Sequence, residues 1–167
     1  MKSLKIEVRH AEETDIDEFV GLIMRMKRLN GEFDSLFIAN EQNRDGIRNY
    51  YLKCIKDREK IISLVAVENN KIYGLMKAEV RERISYLPNY EARIIDLYIM
   101  PEARRKNVGN LLLDFLYQEM TKRKITVVTA EFPALNLIAL NFYTKIGYRE
   151  IGKVFGKTIG QKENKKE

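Results

Sequence analysis

The sequence predicts an α/β (α+β) domain, a mixed sheet flanked by helices in the order β-α-α-β-β-β-α-β-α-β, and three stretches carry that prediction. Leu4–Arg9 places Leu4, Ile6 and Val8 on one face and Lys5, Glu7 and Arg9 on the other, the period-two mark of a half-buried strand. Ile61–Val67 and Ile72–Ile84 are β-rich runs separated by the turn Glu68-Asn69-Asn70-Lys71, which reads as a hairpin. Arg93–Met100, a basic turn, an amphipathic run to Met120 and the strand Ile125–Ala130 then form a strand-helix-strand crossover.

The remaining elements fall between these. Thr14-Asp15-Ile16-Asp17 resembles a capping box, and Ile16, Phe19, Val20, Ile23 and Met24 follow at helical spacing, so a first helix is expected up to Asn30-Gly31. Glu32–Gln42 has no clear period. A second helix carries Ile47, Tyr50, Tyr51, Cys54 and Ile55 on one face, which makes Cys54 a core residue and not a nucleophile. Ser85–Tyr90, with Pro88-Asn89, is a loop. In the crossover helix, Val108, Leu112, Leu116 and Met120 form one row joined by Leu111 and Phe115, while Asp114, Gln118 and Lys122 face away. Asn136 is placed to cap a helix bearing Ala139, Phe142 and Ile146, with Gly147 as its stop, and Tyr148–Lys157 alternates as a last strand.

Composition narrows the function classes. At 167 residues and 45% hydrophobic the chain suits one domain, expected over 1–158, with 159–167 as a basic, flexible tail. One cysteine and one histidine, His10, allow neither an internal disulfide nor a Cys/His metal cluster, so no metal is expected. No apolar run reaches the roughly 20 residues of a membrane span, and Met1-Lys2-Ser3-Leu4-Lys5 lacks the apolar core of a signal peptide. A cytoplasmic protein without a membrane partner is the expectation. The net charge of +6 is dispersed along the chain, which favours a solvated surface plus one local anion site over a nucleic-acid face.

That anion site is the turn Arg104-Arg105-Lys106-Asn107-Val108-Gly109-Asn110. A strand-turn-helix of this kind aims free backbone N–H groups and the positive helix end at one point, and three adjacent cations surround it. A phosphate or pyrophosphate fits there.

The order Ile99-Met100-Pro101, then Arg104-x-x-Asn107-x-Gly109, resembles the cofactor-binding signature of the GNAT superfamily of N-acetyltransferases, Arg/Gln-x-x-Gly-x-Gly/Ala after a strand ending in Val-x-Pro. Asn107 departs from the usual glycine. Asparagine is the best substitute where positive φ is needed and a poorer one where the backbone must approach a ligand. A second stretch, Asn136-x-x-Ala139-x-x-Phe142-Tyr143-x-x-x-Gly147-Tyr148, looks like the C-terminal signature of the same family. The opening Val8-Arg9-His10-Ala11 and Asp15-Ile16-Asp17 also resembles it, so the likeness spans most of the chain. Leu29–Lys60 resembles nothing nameable.

The resemblance implies a twisted sheet splayed between the strand ending near Ile99 and the strand ending near Ala130, with acetyl-coenzyme A as acetyl-donor cosubstrate. Its pantetheine would pair with the backbone of Leu97, Tyr98 and Ile99, its pyrophosphate would reach Arg104–Asn110, and Asn136, Ala139 and Tyr143 would complete the cofactor contacts. The implied reaction is acetyl transfer to a primary amine, of a small molecule or a peptide, by direct attack through a tetrahedral intermediate. Ile99 N–H would stabilise the oxyanion and Tyr143 would protonate the departing thiolate. The base stays open. The glutamate of many relatives is here Ile95, and the candidates are Asp96, Glu79, Glu131 or a water chain. His10 reads as a structural residue. The alternative function is a catalytically weak acyl-coenzyme A, RNA or protein-binding module on the same fold, for which Ile95 and Asn107 leave room. The acyl chain length is open, and a homodimer paired through the last strand suits such a fold.

Overall fold

In a computed structural model, residues 5–160 are described. Leu4 and the larger part of the expected tail, residues 161–167, lie outside them. The described chain divides into two compact units, residues 5–137 and 138–160.

The larger unit is built on a sheet of β1 (Glu7–His10), β2 (Ile61–Glu68), β3 (Lys71–Glu82), β4 (Tyr90–Ile99) and β5 (Val128–Ala130), in that spatial order. All neighbours are antiparallel except β4 and β5, which run parallel. The parallel pair needs a crossover, and helix α3 (Val108–Lys122) supplies it. The hairpin turn has Asn69 and Asn70 at φ 50° and 64°, the positive-φ pair that two-residue hairpins require.

Alternation sorts the strand side chains onto two faces. Val65, Val67, Ile72, Leu75 and Tyr98 meet α1 (Ile16–Phe33) and α2 (Arg44–Lys56) in one cluster with Phe19, Ile23, Tyr51 and Ile55. Phe19 and Ile23 are fully buried, each worth about 1.5–3 kcal/mol in transfer from water. Ile62, Leu64, Met76 and Ala78 take the opposite face, where α3 packs with Leu112 and Leu116.

Several local expectations shift. The reciprocal cap forms two residues early, where Glu12 N–H donates to the Asp15 carboxylate (2.7 Å) and Arg9 locks Asp15 from the strand (2.7 Å). Helix α1 runs through Asn30-Gly31. Gly31 lies under the connection that folds back over the helix, where a Cβ would make ordinary contacts of 3.4 Å with Phe37 O and 3.5 Å with Ile38 Cα. Tyr50 is half-exposed and not part of the α2 core stripe. Cys54 is buried, and burial pushes its thiol pKa up, as suits a packing residue.

The second unit holds most of α4 (Leu137–Lys145), which ends at Gly147 with φ +97°. The strand expected over Tyr148–Lys157 is not formed; residues 149–159 have no regular structure and Ile151, Val154 and Phe155 are exposed. Alternation supplies a face, but a strand also needs a partner ladder, and the sheet ends at β5 among the described residues. No helix among the described residues is long and apolar enough to cross a membrane.

Candidate functional site

The site begins where β4 and β5 part. They pair only over Ala92–Ile94 and Val128–Ala130, and the last rung is Glu131 N–H to Ile94 O, 2.9 Å. Beyond it β4 continues to Ile99 with that edge unpaired. Opposite, the β3 register jumps from Ala78–Ile94 to Lys77–Asp96, so Ile95 is the extra residue of a bulge. Met100 N–H donates to Tyr73 O (2.9 Å), which makes Gly74–Ile99 and Met76–Leu97 the pairs not hydrogen-bonded to each other. The N–H and C=O groups of Leu97 and Ile99 therefore point at the open edge, and Tyr98 turns its side chain into the core.

The open edge leads to the basic turn. A single 3-10 turn, Pro101–Ala103, breaks the strand, and Arg104 to Asn107 are exposed. Arg105 and Asn107 have φ of 62° and 64°, so the asparagine in the glycine position does adopt the left-handed conformation. Its Oδ1 accepts from Asn110 Nδ2 (2.6 Å), a bond that glycine could not make. Val108, Gly109 and Asn110 open α3, where first-turn N–H groups have no intrahelical acceptor. Arg104 Nε donates to Ile99 O at 3.3 Å, which ties the turn to the strand end. Gly74 permits this close approach: a Cβ on it would lie 2.8 Å from Ile99 Cδ1 and 3.0 Å from Val108 Cγ1.

On the face turned to α1 and α2 the same strands carry charges. Asp96 is fully buried; its Oδ1 accepts from Lys27 of α1 (2.6 Å) and its Oδ2 from the Tyr51 hydroxyl of α2 (3.2 Å). Burial, then the Asp96 charge, push the Tyr51 pKa up. Lys77, also buried, donates to Glu79 (2.8 Å) and Tyr50 (3.1 Å). Burial alone would lower its pKa, yet these partners raise it, so the ammonium stays charged. Burial opposes ionisation of Glu79, but Lys77 and Arg81 hold its pKa below the ordinary carboxylate value. Nearer β5, Arg93 binds Glu91 (2.7 Å) and Glu131 (3.4 Å), and Thr129 donates to Glu91 (3.1 Å).

Sequence reading missed Lys27, Lys77, Arg81, Glu91 and Arg93. A signal existed for Lys77, a charge between Leu75-Met76 and Ala78 within a buried strand. His10 lies elsewhere, edge-on to Phe115 and 3.8 Å from Glu119, and burial lowers its pKa.

In the second unit, Tyr143 is buried and its ring packs on Phe142 and Tyr148 (centroids 5.2 and 5.1 Å). Ala139 is half-buried on the same helix, and Asn136 directly precedes it. Among the described residues no His, Cys, Asp or Glu group could hold a metal ion.

Comparison with known proteins bears on this geometry. Residues 22–148 match the model of the acetyltransferase (GNAT) family. A predicted acetyltransferase from Clostridium acetobutylicum, solved with acetyl-CoA, superposes with a TM-score of 0.75 at 18% identity, covering 92% of this chain and 96% of that one. A GCN5-related N-acetyltransferase from Ralstonia eutropha gives 0.75 at 20%, with 93% and 99% covered. An aminoglycoside acetyltransferase from an uncultured soil metagenomic sample, in complex with sisomicin, gives 0.68 at 23%, with 96% and 97% covered. At these identities the structural likeness is one of fold. Comparison with curated protein sequences returns no significant match.

Proposed function

Because the chain belongs to the acetyltransferase (GNAT) family, we propose that it moves the acetyl group of acetyl-coenzyme A onto a primary amine of a small molecule or a peptide, through one domain spanning 1–158. The observation that carries this reading is an open strand edge, at Leu97 and Ile99, running directly into a basic turn at a helix N-terminus. The two halves suit the two halves of one ligand. Peptide-like amides of a pantetheine arm need alternating N–H and C=O partners, which an unpaired strand edge offers. A pyrophosphate needs cations and N–H groups, which Arg104, Arg105, Lys106 and the backbone from Asn107 to Asn110 offer. When bound, acetyl-coenzyme A supplies the activated acyl group.

The remaining roles follow from the chemistry of the transfer. An alkylamine with pKa near ~10 is protonated at neutral pH, so its proton must leave before nitrogen can attack the thioester carbonyl. Attack gives a tetrahedral intermediate, whose oxyanion takes the Ile99 N–H that points out of the ladder. Tyr143 serves as the acid that reprotonates the thiolate, since a phenol keeps its proton at neutral pH. The support for Tyr143, and for Asn136 and Ala139 as cofactor contacts, is the sequence motif they belong to. The amine's proton goes to a carboxylate near the parting of β4 and β5, where Asp96, Glu79 and Glu131 are the candidates.

Calorimetric titration with acetyl-coenzyme A, beside the Arg104→Ala/Lys106→Ala double variant, tests the reading. We expect binding to the parent and its loss in the variant. Equal binding by both would remove the turn from the site, and no binding by the parent would favour a binding module on the same fold.

A further inference from the structure

Four carboxylates share the α1/α2 face around the point where β4 and β5 separate, and their oxygens are not equally occupied. Asp96 uses Oδ1 on Lys27 and Oδ2 on Tyr51. Glu79 uses Oε1 on Lys77 and Oε2 on Arg81. Glu91 uses Oε1 on Arg93 and Oε2 on Thr129, and its side chain is 5% exposed. Glu131 differs: Arg93 reaches only its Oε2, at the long distance of 3.4 Å, and its side chain is 54% exposed.

The backbone of Glu131 is nonetheless well fixed. Its N–H makes the last rung of the β4–β5 ladder, to Ile94 O, at the start of the gap that exposes Leu97 and Ile99. Alternation puts Glu131 on the face of Thr129, away from α3. A donor molecule seated at the basic turn enters this gap from the α3 end, so an amine must come from the opposite side. Glu131 stands at that entrance, and its Oε1 has no hydrogen-bond partner among the described residues.

Resting on the acetyltransferase reading, we propose that Glu131 is the general base, and that Arg93 is a positioning residue that aims it while holding Glu91. The incoming ammonium gives one proton to the open Oε1 of Glu131, which becomes a neutral acid. The freed lone pair forms the N–C bond to the thioester carbonyl, and the C–S bond breaks. The second nitrogen proton compensates the one Tyr143 gives to sulfur, and Glu131 returns its proton to solvent. Asp96 and Glu79 are held by two donors each and act as supports for the strands. The charged groups facing Glu131 are Arg93 and Glu91 on β4, with Glu79 and Arg81 behind them on β3.

The test follows thiol release from acetyl-coenzyme A across pH, with sisomicin and spermidine as amine probes and slow hydrolysis as a readout that needs no amine. Glu131→Gln should lower turnover about 100-fold or more near neutral pH, with the deficit shrinking as the pH approaches the amine's own pKa, and leave acetyl-coenzyme A affinity unchanged; Glu131→Asp should restore part of the rate. Parent-like turnover of Glu131→Gln at every pH would overturn the assignment while leaving the transferase reading standing. A parent protein that binds acetyl-coenzyme A but releases no thiol with any probe would overturn both.

Discussion

The two ends of the open β4 edge are built on different principles. At the Arg104–Asn110 end, the binding groups are backbone N–H groups and exposed cations from one continuous stretch of chain. At the Asp96 end, they are buried and part-buried side chains drawn from α1, α2, β3, β4 and β5, tied into ion pairs and hydrogen bonds. A backbone-built site tolerates side-chain change as long as the dihedral angles survive. A site of buried charges does not, because removing one partner strands the other in a medium that solvates it poorly. The lesson is that the same strand presents an adaptable anion cradle at one end and a rigid, charge-locked floor at the other.

Three variants would break or sharpen that contrast, beginning with the largest effect. Asp96→Ala should cost about 3 kcal/mol in urea unfolding, the low end for a broken buried pair because Lys27 is one-third exposed. The exposed Arg28–Glu41 pair makes the control, and its loss should leave the urea midpoint nearly unchanged, because water screens it. If both variants unfold at the same urea concentration, the floor is not charge-locked.

Gly74→Ala presses on the joint between the two ends. The new methyl would meet Ile99 and Val108, and since Ile99 Cδ1 can turn aside, about 1 kcal/mol of stability should be lost. Displacing Val108 tilts the start of α3, so acetyl-coenzyme A should bind more weakly as well. Unchanged affinity in calorimetry would show that the cradle does not depend on this close approach.

Asn107→Gly should do least. Glycine adopts φ of +64° without strain, while the bond to Asn110 is lost, and these terms nearly cancel to within about 1 kcal/mol. Parent-like melting and affinity are expected. A large loss of affinity would mean that the asparagine side chain itself holds the ligand.

The contrast also marks how far the amino-acid sequence is legible. The turn could be read because everything it needs is local: the cations, the asparagine that tolerates positive φ, and the amphipathic row of Val108, Leu112, Leu116 and Met120 behind it. The Gly147 stop and the Asn69-Asn70 hairpin were legible for the same reason, since a positive φ restricts the residue type at one position. Neighbouring signals competed at the start of α1, where Glu12 and Asp15 formed the reciprocal bonds expected at Thr14 and Asp17 because Arg9 already held Asp15. Tyr148–Lys157 failed as a strand because pairing depends on a partner and not on alternation.

By itself, then, the sequence determined the element types up to the last helix, the basic turn and the family signatures, all set by short-range sterics, periodicity and hydrogen bonding. Tertiary structure alone decided the bulge at Ile95, the parting of β5 from β4 after Ile94, and the partners of Asp96, Lys77 and Glu131. Lys27 and Asp96 stand 69 positions apart in the chain. Nothing local tells a lysine on an amphipathic helix that a buried carboxylate waits for it; only the packing of α1 onto the sheet brings the two charges together and excludes the water that would otherwise solvate them.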